Sequence, residues 1–159
     1  MSKARAIGSH VKLAFLGVNS ARKLGPEDRQ TAMLLFYAVE NLVMATLASE
    51  DISRMEWRAT AGNHQIDRMT SVLPSDCVIK SNLEEFSPLT VYSTGFRYPT
   101  ASGKVMKAPD EDVTRKWIEQ ATELVAVFVR NFQVDVTNDD AVAGSTSPFR
   151  SKDRGKIDP

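Results

Sequence analysis

The sequence predicts an all-α fold, and three observations carry that reading. Apolar residues recur at helical spacing over long segments, as in Val11, Ala14, Phe15 and Val18, or in Trp117, Ala121, Leu124, Val125 and Phe128. Pro26-Glu27-Asp28 and Pro109-Asp110-Glu111-Asp112 mark helix starts. Proline gives up no needed amide in a first turn, and the acids there face the positive end of the helix dipole. No strand-like alternation of useful length is present.

At 159 residues and 42% hydrophobic content the chain suffices for one packed core and is short for two. The expected organisation is a single helical domain over 1–134, with its core at about 25–132 and a basic N-terminal helix at 9–24. A flexible tail is expected over 135–159, where Thr, Asn, Asp, Ser and Gly with scattered charges bury too little to order themselves. Cys77 is the only cysteine, which excludes an internal disulfide and points to a reducing cytoplasm. The early apolar run Val11–Val18 is broken by Lys12 and too short to span a bilayer, so neither export nor a membrane span is expected.

Twenty basic and twenty acidic residues balance, but unevenly along the chain. Residues 1–26 carry Lys3, Arg5, Lys12, Arg22 and Lys23 with no acid. Residues 27–57 carry six acids against Arg29 and Arg54. Such a basic segment either touches phosphate or is solvated beside the acidic stretch that follows it.

In chain order, the first helix is expected from Ser9 to Leu24, with Leu13 and Leu16 widening its apolar face and Gly25-Pro26 ending it. His10 falls in its first turn, in an exposed or capping role. The second helix, from Pro26 to Ser49, is apolar nearly all round between Ala32 and Ala48, so it is either central or also lines an oligomer interface. Glu40 lies among Phe36, Tyr37, Met44 and Leu47 on that helix and needs a partner, a rim or water. A third helix is expected from Asn63, as N-cap, to Pro74, with Ile66, Met69, Val72 and Leu73 inward. Leu83–Tyr92 reads as a short helical segment punctuated by Pro88. A long loop follows over Ser93–Lys107, and a last helix runs from Pro109 to Phe132.

Two connections draw attention for chemistry. Arg58-Ala-Thr-Ala-Gly-Asn-His64 gathers an arginine with one of only two histidines. His64 would sit near the free amides of a helix start, which favours a neutral imidazole. The Ser93–Lys107 loop combines Arg97, Tyr98, Lys104 and Lys107 with Gly95 and Gly103, cations on flexible backbone that suit a phosphate contact or a plain surface connection equally. It is not a Walker loop, because Ser102-Gly103-Lys104 lacks the upstream glycine and Val105 stands where the metal-binding hydroxyl belongs. No Cys/His/Asp/Glu spacing suggests a metal, and no cofactor is implied.

Four pieces together resemble the HEPN domains of prokaryotes: the cadence Thr31-Ala-Met-Leu-Leu-Phe-Tyr-Ala-Val-Glu-Asn-Leu42; Gly62-Asn-His64-Gln-Ile; Leu89, Tyr92 and Arg97-Tyr98-Pro99; and Glu111-Asp-Val with Ala121 and Leu124. The resemblance covers about Gly25–Phe132. It implies an up-and-down bundle of four to five helices, usually a homodimer, in proteins found beside nucleotidyltransferases, in toxin-antitoxin and defence systems, and as metal-independent ribonucleases. The nuclease branch carries an Arg, four to six residues, then a His, a spacing that Arg58 and His64 meet. The chain is closer to the Arg-Tyr-Pro branch, regarded as a nucleotide-binding or accessory module, with Thr100 where an acid often follows the proline.

Three functions follow from these readings. The first is a dimeric module that binds a nucleotide or RNA phosphate through Arg97, Tyr98, Lys104 and His64, with Glu40 as a further ligand-binding candidate. The second is a metal-independent endoribonuclease with Arg58 and His64 as the working pair. The third is a non-catalytic scaffold for a protein partner such as a nucleotidyltransferase. In each the chain is expected in the cytoplasm and away from membranes.

Overall fold

The computed structural model of the chain describes residues 1–61 and 64–150. Among them are seven α-helices: α1 Lys3–Leu24, α2 Thr31–Ser49, α3 Arg54–Ala61, α4 Ile66–Ser71, α5 Lys80–Glu84, α6 Val91–Gly95 and α7 Glu111–Phe132. A 3-10 turn at Ser87–Thr90 leads into α6. The described residues hold no strand, only isolated bridges between Cys77 and Arg150 and between Val134 and Ala143. The expected all-α class is therefore the observed one.

α1 starts well before Ser9, because Ser2 caps it, its Oγ accepting from the Arg5 amide at 3.3 Å. It ends at Gly25, whose φ of 83° is a value glycine adopts without a Cβ clash. Ile7, Val11, Ala14, Val18 and Ala21 form its buried stripe. Leu13 and Leu16, expected on that face, are exposed with Leu24, since the stripe is filled without them.

α2 begins at Thr31 and not at Pro26. Asp28 Oδ1 accepts from the Gln30 amide at 2.7 Å, and the Thr31 hydroxyl donates to the Gly25 carbonyl at 2.6 Å. Those local bonds fold 26–30 into a turn that competes with a helix. The helix is central, packed against α1, α4, α5, α6 and α7, which explains its apolar character on nearly every side. Thr31–Ser49 is long and apolar enough to cross a bilayer, but 61% of that window is buried inside the bundle, as in a core helix.

Arg54–Ala61, expected to be largely connection, is helical. Its start is a reciprocal cap: Glu56 Oε2 accepts from the Ser53 amide at 2.6 Å and Ser53 Oγ from the Glu56 amide at 3.2 Å. Trp57 is its buried anchor. Gly62 and Asn63 lie outside the described residues, and with them the reading of Asn63 as N-cap. α4 begins at Ile66, so His64 precedes that helix and does not occupy its first turn. Ile66, Met69 and Leu73 face the core as expected, followed by Leu83, Phe86 and Leu89.

α7 ends at Phe132, where the sequence places it, and begins at Glu111, two residues after the expected Pro109, with Asp110 at the N-cap position. Acids Glu111 and Asp112 sit in the first turn, and left-handed Gln133 (φ 51°) stops it. The expected flexible tail needs correction over 135–150. Val134, Ala141, Ala143 and Phe149 are buried. The Ala143 amide bonds to the Ala4 carbonyl at 3.0 Å, the Gly144 amide to Gln133 at 3.2 Å, and the Val78 amide to the Phe149 carbonyl at 3.2 Å. Phe149 packs its ring 4.8 Å from Phe128 and 5.2 Å from Phe132. Arg150 then pairs with Glu50, whose side chain is only 3% exposed, and with Asp76 at 3.1 Å. A few apolar anchors with prepared receptors order this polar segment, so the packed domain reaches at least Arg150. Beneath it, Cys77 is buried, and burial pushes its thiol up from the ordinary value, which favours the protonated form.

Candidate functional site

Tyr37 and Glu40 stand three residues apart on α2, so they share a face. Asn41, next to them, donates from Nδ2 to the Tyr37 carbonyl at 2.8 Å, and its Oδ1 meets His10 Nδ1 at 2.8 Å, which makes His10 a half-buried bridge between α1 and α2. Glu40 turns the other way. Its Oε1 lies 2.5 Å from Nδ1 of His64. The Glu40 side chain is 14% exposed and His64 60%.

His64 reaches Glu40 from a left-handed bend (φ 59°), a conformation histidine adopts more readily than most residues. The bend is fixed from the far side, where the Ile66 amide donates to Thr90 Oγ1 at 3.3 Å and so ties the start of α4 to the 3-10 turn. That turn leads into α6, which carries Ser93 and Thr94, and Arg97 follows two residues past the helix. The Arg97 guanidinium donates to the Tyr37 hydroxyl and lies 5.6 Å from the centre of its ring. The loop beyond is pinned by Arg29, which stacks 4.0 Å from the Phe96 ring and donates to the Met106 carbonyl at 3.3 Å.

Tyr37, His64, Ser93, Thr94 and Arg97 thus line one small cleft of about 70 Å³. The Ser93 hydroxyl donates to the Thr90 carbonyl at 2.8 Å, whereas Thr94 is exposed beside Arg97. A guanidinium carries five N–H donors, so one bond to Tyr37 leaves others for a ligand oxygen. With Nδ1–H donated to Glu40, the His64 ring is oriented and Nε2 is its remaining working nitrogen. The cleft has room for roughly two waters, which is the scale of one phosphate group and not of a whole nucleotide.

The residues singled out from sequence divide accordingly. His64, Glu40 and Arg97 come together. Arg58 does not join them: it sits on α3, 5.7 Å from the Trp57 ring, and lines a separate open cleft with Arg54, Met55 and Ala59. Spacing along the chain does not survive as proximity because α3 carries Arg58 on its own exposed surface. Tyr98 is 69% exposed next to Arg97. Lys104 is exposed in a turn closed by the Thr100 amide bonding to the Lys104 carbonyl at 2.8 Å, with Gly103 at φ 76°. Tyr37, Ser93 and Thr94 are the cleft residues that sequence reasoning left out; a tyrosine in an apolar helix reads as core, and two small hydroxyl residues at the start of a loop carry no signal. Among the described residues no group of three or more His, Cys, Asp or Glu side chains is gathered as a metal ion would need.

No family model matches the chain, and no curated protein or solved structure is significantly similar to it.

Proposed function

We propose that the chain is a HEPN-like module that binds a nucleotide or RNA phosphate in the Tyr37–His64–Arg97 cleft, as a homodimer and without turnover. The family part of this reading rests on the sequence cadence, and the helical bundle accommodates it. The observation that carries the binding part is the convergence of Arg97, Thr94 and His64 on a space of phosphate size. Arg97 supplies charge-assisted donors to the phosphate oxygens, Thr94 a hydroxyl, and His64 Nε2 a further contact. Tyr98, exposed and next in the chain to Arg97, would offer a face for a base, and Lys104 a cation for a second phosphate. Glu40 holds His64 in place; its negative charge, committed to that bond, opposes the anion and limits affinity.

Titration of the purified protein with ATP, AMP and inorganic phosphate tests this, read by thermal shift and calorimetry. Arg97→Ala is expected to weaken all three by about tenfold or more. Tyr98→Ala is expected to weaken the nucleotides and leave phosphate unchanged. No shift with any of the three at millimolar concentration sinks the proposal.

A second reading is favoured by one observation, the Glu40–His64 hydrogen bond, because a carboxylate behind an imidazole is also how a general base is oriented. In that reading the chain is a metal-independent endoribonuclease, with His64 taking the proton of a ribose 2′-hydroxyl. Arg97 replaces Arg58 as the residue that steadies the phosphate. Cleavage of labelled RNA in EDTA, lost in His64→Ala and retained in Arg58→Ala, is its signature.

A further inference from the structure

A second concavity lies on another part of the molecule, between α1 and α7. Its walls are Phe15 and Val18 from α1, Val125 and Val129 from α7, and Val136 from the segment after α7. It is predominantly apolar and has a volume of about 300 Å³, at the lower end of the range for small-molecule sites. Val136 closes one side only because residues 135–150 pack against the bundle. Two arginines also line it, Arg22 from the last turn of α1 and Arg130 from the last turn of α7. Among the described residues neither makes an ion pair, whereas Lys3, Arg5, Lys12, Arg115 and Arg150 all do. Lys23 stands beside Arg22 in an adjoining hollow with Asn19.

An apolar trough whose lining carries two guanidinium groups with no ion-pair partner among the described residues matches an amphiphile: an apolar body to cover the valines and an anionic head to engage the arginines. We propose that the α1–α7 groove binds a monomeric medium-chain carboxylic acid, with its alkyl chain over Phe15, Val18, Val125, Val129 and Val136 and its carboxylate held by Arg22 and Arg130. Each part has a separate physical basis. The chain removes apolar surface from water, which stabilises the complex by about 0.8 kcal/mol per buried methylene. The head forms charge-assisted, bidentate contacts that a neutral head group cannot form. A membrane surface fits less well, because the apolar area is recessed between two helices and not displayed on one.

Calorimetric titration with octanoate, decanoate and dodecanoate below their micelle concentrations tests the proposal, with decanol as the neutral control. Affinity should rise by about tenfold from octanoate to decanoate, following the buried methylenes, and decanol should bind about tenfold more weakly than decanoate. The Arg22→Gln/Arg130→Gln pair should bring decanoate down to the decanol level. Ala126→Trp, an exposed position lining the groove, should abolish binding of both while the far-ultraviolet dichroism stays that of the parent. Equal binding of decanol and decanoate, indifference to the paired arginine change, or association only with anionic vesicles overturns the proposal. So does an absence of binding, including the case in which a second copy of the chain closes the groove, read as a dimer split by Ala126→Trp.

Discussion

Nδ1 of His64 lies 2.5 Å from Oε1 of Glu40, so a bend in the chain is joined to a carboxylate on the central helix. Glu40→Gln separates the two functional readings, because glutamine still accepts from Nδ1–H but carries no charge. If the cleft only binds anions, removing a negative charge beside it should tighten phosphate or AMP by several-fold. If His64 is a general base, the same change should in addition lower cleavage by about a hundredfold, because the imidazole loses the carboxylate that supports its proton uptake. Calorimetry and an RNA cleavage assay on one preparation distinguish the two. Looser phosphate binding with no cleavage in the parent would contradict both.

Gly8 is the point where the C-terminal segment crosses α1. A Cβ there would stand 2.5 Å from the Ala141 carbonyl oxygen and 2.7 Å from the Val142 Cα, backbone atoms that cannot rotate aside. Gly8→Ala is therefore expected to destabilise the fold by about 1–3 kcal/mol, although alanine favours an isolated helix. Denaturant titration gives the number. A stabilised Gly8→Ala would mean that 141–142 does not rest on α1.

Phe149 anchors the end of that segment between Phe128 and Phe132. Phe149→Ala should cost about 3 kcal/mol from lost burial and the cavity left behind. It should also expose Cys77, which the segment covers through its bridge to Arg150. Alkylation of Cys77 at mildly basic pH is then expected to be slow in the parent and markedly faster in the variant. Equal rates would show that 135–150 is not a cover.

How much of this could be read from sequence depends on where each element's ordering comes from. α1, α2 and α7 carry their own periodicity and stop signals, and α7 is legible to within two residues because Pro109 and the following acids announce it. α3 has no legible stripe because, among residues 54–59, only Trp57 is deeply buried; the Ser53–Glu56 capping pair is the signal that could have found it. The segment 135–150 was read as tail because its anchors, Val134, Ala141, Ala143 and Phe149, are sparse among polar residues. Their burial depends on receptors elsewhere in the chain. In the cleft, the sequence joins His64 and Arg97 as phosphate contacts but offers no signal that Glu40 bonds to His64 or that Tyr37 bonds to Arg97. That they meet depends on the Ile66–Thr90 tie, a contact between two connections that has no local sequence signature.

The capping pair at α3 gives a pH-dependent prediction. Hydrogen bonds from the Ser53 side chain and backbone hold the Glu56 carboxyl below its ordinary value. A carboxyl whose folded value is lowered binds its proton more weakly in the folded state than in the unfolded one. Its contribution to α3 is therefore fully present above the pH at which an ordinary glutamate titrates, and it is lost as pH falls through the lowered folded value. Hydrogen exchange should show the first-turn amides of α3 losing protection over that acidic window while the buried amides of α2 keep theirs. Glu56→Gln can still cap the Ser53 amide and does not titrate, so its α3 should lose no protection there. Ser53→Ala removes the partner hydroxyl and should weaken protection at neutral pH as well. Parallel loss of α3 protection in the parent and in Glu56→Gln would assign the acid effect to another carboxylate.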